Sequence, residues 1–340
     1  MKIDTGFGVS TTGDLTATIL HAKQAEEAGF DALWSNETQH DPFLPLALAA
    51  EHTQRITLGT SIAVAFARSP TTLAHIAWDL QKLSGGRFVL GLGTQVKAHI
   101  ERRFGMTWDR PAPRLRETIL AIRALWQCWQ TGQTLNFRGE FFKLTLMSPF
   151  FNPGPIEHPH IPVYIAGINE HLCQLAGELC EGFHVHPLHT PKYLAEFILP
   201  NIEAGLHRRG RARGDIQLAS SIFVIGGDTE AERLKNRAAV RQQIAFYAST
   251  PSYRPVFELH GWRDIAEALS SLAARGGWAA MPSLVTDSML ASFAVEGEWA
   301  ALPAKIQARY DGLLDRAAYY FDLPGDVAKI TVRAFKNHAG

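Results

Sequence analysis

Eight strand-then-helix units, closed into a (β/α)8 TIM barrel with insertions after the fourth and seventh strands, form the α/β fold this sequence predicts. Three observations carry the expectation. Short apolar runs alternate with amphipathic helical stretches along the 340 residues. Runs such as Phe88-Val89-Leu90 are apolar at successive positions, as in a parallel strand covered on both faces. No linker, low-complexity tract or short repeat divides the chain, so residues 1–340 read as one domain.

The first unit places a strand at 3–9 and a helix at 14–28 that stops at Gly29. A strand at 32–35 and a helix at 44–53 follow, then a strand at 57–61. The helix at 70–83 is the best marked. Ser69 and Pro70 suit its N-cap and first position, because proline lacks the amide that would be orphaned there. Leu73, Ile76, Ala77 and Leu80 repeat at helical spacing, and Gly85-Gly86 offer a left-handed stop. In the strand at 88–92, Gly91 and the following Gly93 leave room for a ligand to approach the backbone. The helix at 113–131 lays Leu115, Ile119, Ile122, Leu125, Trp126 and Trp129 on one broad face. Residues 132–160 form the first insertion, with a small β-ribbon around Arg138-Gly139 and a loop long enough for a functional lid. The alternation resumes with a strand at 163–166, a helix at 170–180, a strand at 182–185, a helix at 191–208, a strand at 217–225 and a helix at 229–247. The second insertion, 248–297, contains a helix at 262–275. A helix at 298–313, a strand at 317–321 and a helix at 326–336 complete the count. Eight strands each followed by a helix favour a closed barrel over an open doubly wound sheet.

Lys plus Arg and Asp plus Glu both number 33, so formal charge is zero. Neither nucleic acid nor a membrane surface is indicated as a partner. The basic run at 207–213 reads as a solvated helix end. Cys128, Cys173 and Cys180 do not make a disulfide framework. The last two, on one helix, stand about 10 Å apart along its axis, too far to bridge. With no apolar leader and no run of transmembrane length, the chain is expected in the cytoplasm.

A barrel of this kind carries its site at the carboxyl ends of the strands. The exits supply Gly8; Asn36 through Asp41, including Glu37 and His40; Ser61-Ile62-Ala63-Val64; Gly93-Thr94-Gln95; Ala166-Gly167-Ile168-Asn169; and His184, His186 and His189. The fifth exit runs into a helix N-terminus, where free amides and the helix dipole favour an anion such as phosphate. It reads equally as an ordinary turn capped by Asn169. Gly91-Leu92-Gly93 is a poor dinucleotide fingerprint, because Val96 stands where the third glycine belongs. His184 and His186, two apart on one strand, suggest a metal-dependent hydrolase completed by His40 and Asp41, but a full ligand set is not apparent. Motifs for a nucleophilic serine or a zinc peptidase are absent.

The segments GFDALWSNETQHDPF, LGTSIAVAFARSPTTLAHIAWDLQKLSGGRFVLGLGTQ and IPVYIAGINEHLCQLAGELCEGFHVHP carry a resemblance. The chain resembles the luciferase-like monooxygenase superfamily, and within it the coenzyme F420-dependent oxidoreductases. The match is good over 2–225, weakens in the second insertion and returns around 294–321. The resemblance implies a barrel, often a homodimer, that binds a flavin or deazaflavin at the strand carboxyl ends and acts on a small molecule. It implies that the tail phosphate sits on the amides of Ala166, Gly167, Ile168 and Asn169. Gly93, Thr94, Ser61 and Ile62 would flank the ring, with a non-prolyl cis peptide between Ser61 and Ile62. Two departures stand out. Relatives often place His directly after an acidic residue at the second exit, whereas here Glu37-Thr38 precede His40 by two positions. Some relatives carry a glutamate proton donor where this chain has Val96. His40, Glu37 or His186 would have to move the proton instead. The expected function is hydride transfer between F420 and a small organic substrate, the alternative an FMN-dependent monooxygenase.

Overall fold

In the computed structural model, which describes residues 1–7 and 14–337, eight parallel strands close on themselves. They are β1 (Lys2–Gly6), β2 (Ala32–Ser35), β3 (Thr57–Thr60), β4 (Phe88–Gly93), β5 (Val163–Gly167), β6 (Gly182–Val185), β7 (Gln217–Gly226) and β8 (Arg316–Tyr319). Each pairs with the next, and β8 returns to β1 through Lys2↔Arg316 and Ile3↔Ala317. The expected (β/α)8 barrel is the observed fold. Its helices are α1 (Leu15–Ala28), α2 (Leu44–His52), α3 (Pro70–Leu83), α4 (Pro111–Thr131), α5 (Glu170–Leu179), α6 (Leu199–His207), α7 (Glu230–Ala248) and α8 (Gly325–Asn337).

Local chemistry sets the helix ends. Ser69 Oγ accepts the Thr72 amide at 3.1 Å ahead of α3, and Gly85 and Gly86 beyond it take φ of 62° and 90°, which a side chain would resist. Asn169 Oδ1 accepts the Leu172 amide at 3.0 Å to cap α5. A π-helical stretch, Leu194–Ile198, leads into α6. Pro200 lies just beyond it and has no N–H to return to the preceding turn.

The differences from expectation cluster at edges and insertions. β8 ends at Tyr319, two residues early, so Tyr320 and Phe321 leave it at the carboxyl rim. The second insertion holds helices Arg254–Leu259, Arg263–Ala274 and Asp287–Phe293, and also a strand, Ala294–Gly297, that the sequence did not predict. That strand pairs with Phe223–Gly226 at the far end of β7. It is short and contains Glu296 and Gly297, poor strand formers whose placement tertiary pairing decides. A strand at Ala63–Val64 and a helix at Lys97–Arg102 are likewise additions. The expected ribbon is present as Phe137–Arg138 against Lys143–Leu144. Glu117 of α4 holds it by accepting the amides of Glu140, Phe141 and Phe142 at 2.9, 2.8 and 2.6 Å.

Alternation along the strands divides the interior in two. Outward residues such as Leu33, Leu58, Leu90, Ile165 and Phe183 join the helices in one large apolar core. Inward residues build a different plug: Trp34, Val89 and Tyr164 pack together around a buried ion pair. Arg316 grips Asp4 with two bonds, Nε–Oδ2 at 2.8 Å and Nη2–Oδ1 at 2.7 Å. Trp34 Nε1 donates to the same carboxylate at 2.9 Å. Above this floor the inward positions of β1, β4, β5, β7 and β8 shrink to Gly6, Gly91, Ala166, Ala219 and Ala318, and a cavity opens there that is continuous with a groove between α1 and α8, the two together enclosing about 1060 Å³. The three cysteines are buried, and burial pushes the Cys173 and Cys180 thiols up to about 12, out of reactive range. Among the described residues no helix is long and apolar enough to cross a membrane.

Candidate active site at the carboxyl rim

One side of the carboxyl rim is built from backbone. β3 pairs with β4 through Leu58↔Phe88 and Gly59↔Val89, and pairing resumes at Ala63↔Leu92 and Val64↔Gly93. Between those points β4 advances three residues, from Val89 to Leu92, while the facing chain advances four, from Gly59 to Ala63. The surplus residue makes a bulge, a device common beside active sites. Thr60 Oγ1 bridges the gap, donating to Gly91 O at 2.6 Å and accepting from Gly91 N at 2.9 Å. The Ser61–Ile62 peptide at the crest is cis, as the resemblance implied.

Gly93 lies against this bulge, for a reason other than the one read from the sequence. A Cβ there would come within 2.6 Å of Ile62 Cδ1, so the glycine admits the Ile62 side chain rather than a ligand. Gly93 pairs with Ala166 of β5, which puts Ser61, Ile62, Gly93 and Ala166 on one continuous arc. Gly167 and Ile168 continue it to the N-terminus of α5, braced by Tyr193 Oη donating to Ile168 O at 3.2 Å. Thr94 turns aside, its hydroxyl donating to Gln95 O at 3.1 Å. Asn36 Oδ1 is buried and unpaired among the described residues, and its side chain lines the cavity beside Ser61.

Glu37 has a different duty from the catalytic one expected of it. Its carboxylate accepts the Val64 amide at 2.7 Å and the Arg68 guanidinium at 2.7 Å, and its side chain is 5% exposed. Arg68 also reaches Asp41 at 2.9 Å. Glu37 therefore fastens the bulge segment to the second exit through Oε2, with its charge paired to Arg68. His40 is exposed and lies apart from the cavity lining; it has no hydrogen-bond partner among the described residues. Gly8 lies outside the described residues.

The opposite side is aromatic. His184 points into the barrel against Trp34 and Tyr164, ring centroids 4.8 and 5.2 Å away. Burial, aided by the Arg316 charge, pushes its pKa down to about 3. His189 turns to the His186 carbonyl at 3.0 Å. His186 Nδ1 accepts the Leu188 amide at 3.1 Å, and its Nε2 meets Tyr253 Oη at 3.0 Å. The three imidazoles thus diverge instead of forming a metal site, and no group of three or more metal ligands occurs among the described residues. Burial pushes His186 down to about 3, so it is neutral at ordinary pH and is not an imidazolium acid. Tyr253 stacks on it at 4.3 Å, Tyr247 meets it edge-on at 4.6 Å, and the Tyr247 and Tyr320 hydroxyls lie 2.6 Å apart. The sequence reading missed these three tyrosines. The available signal was Tyr319-Tyr320-Phe321, aromatic residues where a strand exit was expected.

A family profile described as luciferase-like monooxygenase matches residues 2–316. An uncharacterized protein of Mycobacterium tuberculosis, Rv1360, is 46% identical over 296 residues, 87% of each chain. The 5,10-methylenetetrahydromethanopterin reductase of Archaeoglobus fulgidus is 31% identical over 294 residues, 84% of this chain and 83% of that one. Among solved structures, the coenzyme F420-dependent tetrahydromethanopterin reductase from Methanopyrus kandleri superposes with a TM-score of 0.81 at 22% identity, covering 99% of both chains. Fold, profile and sequence agree, and the chain belongs to the luciferase-like monooxygenase family.

Proposed function

We propose that this protein is an F420-dependent oxidoreductase that transfers a hydride between the deazaflavin and a small organic substrate. The observation that carries the reading is the arc from the Ser61–Ile62 bulge through Gly93 to the α5 N-terminus. It offers a shelf for a planar ring and, at one end, amides for an anionic tail. The residues fit such a group. Asn36 has an unpaired amide oxygen beside Ser61, suited to the imide edge of a deazaflavin. An F420-dependent glucose-6-phosphate dehydrogenase of Intrasporangium calvum, 31% identical over 213 residues, supports this choice over FMN.

When bound in reduced form, the deazaflavin supplies the hydride. The chain's own work would be to seat the ring against the bulge, anchor the tail on Gly167, Ile168 and Asn169, and keep the floor sealed by the Asp4–Arg316 pair. Side-by-side fluorescence titration with F420 and FMN tests the assignment. F420 is expected to bind at about micromolar Kd or tighter, with FMN at least about tenfold weaker. A preference for FMN moves the protein to the monooxygenase reading.

A further inference from the structure

We propose that the Tyr247–Tyr320 hydroxyl pair receives the substrate's oxygen, and that the substrate is an uncharged alcohol or the carbonyl compound it becomes. The proposal rests on the F420 reading for its hydride source, but the hydroxyl site stands on its own geometry.

Proton counting and the cavity lining together single out this pair; Tyr253, which as acceptor from His186 also keeps a hydroxyl proton, does not line the cavity. With Nδ1 accepting from Leu188, neutral His186 carries its proton on Nε2 and donates it to Tyr253 Oη. That imidazole has no proton to offer a substrate. Tyr247 and Tyr320 share one proton across their 2.6 Å contact. The second hydroxyl proton of the pair has no partner among the described residues. Both rings line the same cavity as Asn36 and Ser61, so this free donor faces the space opposite the bulge.

The surroundings make the pair rigid and its ligand neutral. Tyr320 packs on Phe223 at 4.6 Å, and Tyr247 is held edge-on between His186 and Tyr320. Burial pushes the Tyr320 phenol upward, so it stays a donor through the physiological range. Among the described lining residues the one Lys or Arg is Lys329, exposed on α8. Arg68, at the second and third exits, is already spent on Glu37 and Asp41, so among the described residues the cavity lining offers no buried cation for a phosphate or carboxylate on the substrate.

The step balances. As the hydride and its two electrons reach the carbonyl carbon, the C=O π pair moves onto oxygen. That oxygen takes a proton from one tyrosine, and the phenolate left behind recovers one through its partner hydroxyl and solvent at the open mouth. In the other direction the alcohol proton passes to the pair's solvent-linked end as the C–H hydride leaves for oxidised deazaflavin.

4-Nitrophenol, an oxyanion mimic whose ionised form absorbs near 400 nm, tests this without turnover. It is titrated into the wild-type protein and into Tyr247→Phe, Tyr320→Phe and Tyr253→Phe, each with and without F420. The wild type is expected to bind it with a lowered apparent pKa. Tyr247→Phe and Tyr320→Phe should bind about tenfold more weakly and lose the shift, while Tyr253→Phe keeps both. F420 affinity should be the same in all four proteins. Absence of 4-nitrophenol binding to the wild type, or equal binding by Tyr320→Phe, overturns the proposal. Hydroxyl-dependent binding in a protein that ignores F420 upholds the oxygen site and removes the F420 reading instead.

Discussion

Two sides of the carboxyl rim are made in opposite ways; Ser61 on one and Tyr247 and Tyr320 on the other line the cavity. On the β3–β4–β5 side, residues 61–64, 91–93 and 166–169 act through backbone, set by a bulge and fixed from behind by Glu37 and Arg68. On the β6–β7–β8 side, His186, Tyr247, Tyr253 and Tyr320 act through side chains held by ring packing and hydroxyl contacts. A backbone wall suits a ligand of fixed shape, shared by many enzymes. A side-chain wall is free to change with the substrate. On the proposed function, the first side takes the cofactor and the second sets specificity.

Breaking the floor should injure both walls and gives the largest effect. Arg316→Ala leaves Asp4 as a buried, unpaired charge beside Trp34, and a loss of about 3–5 kcal/mol is expected in chemical denaturation. A loss below about 1 kcal/mol would show that the floor is not what supports them. Glu37→Ala should act on the backbone wall alone. It orphans the Val64 amide and half of the Arg68 pairing, at about 2–3 kcal/mol, and F420 affinity should fall about tenfold with it.

Acid should act on the other wall. His184 and His186 are held down to about 3 and His189 to about 4, each by burial first. Their folded values lie below the ordinary 6.5, so below pH 6.5 the unfolded chain takes up more protons and stability falls as pH falls. Each contributes up to about 2 kcal/mol of loss between pH 6.5 and 5. Denaturation midpoints across that range check this, and His186→Gln should flatten the slope. Tyr253→Phe is the mildest change. It removes one acceptor for the His186 N–H, about 1 kcal/mol, with F420 affinity unchanged in the fluorescence titration.

The same contrast explains what the sequence disclosed. The barrel, the exit at 93 and the turn at 166–169 were legible because each rests on local signals: a Ser-Pro helix start, a Gly-Gly stop, an Asn cap, a glycine-bearing strand end; the cis bond at 61–62 followed only from the family resemblance. Even there, Gly93 was misread, because the atom that needs its space belongs to Ile62, 31 positions away. Glu37 looked catalytic for the same reason: a lone carboxylate at an exit gives no hint that Arg68 and the Val64 amide consume it. The aromatic wall was out of reach. Its four residues come from β6's exit, the end of α7, the second insertion and the exit of β8, and nothing local links 186 to 253 or 247 to 320. The Ala294–Gly297 strand was hidden similarly, since its partner lies at the far end of β7.

The division between a cofactor wall and a substrate wall is tested most directly by F420 fluorescence titration of three proteins in parallel: wild type, Glu37→Ala and Tyr320→Phe. The expected result is tight binding by the wild type, about tenfold weaker binding by Glu37→Ala and unaltered binding by Tyr320→Phe. Weakening by Tyr320→Phe with Glu37→Ala unaffected would contradict the division and place the cofactor on the aromatic side.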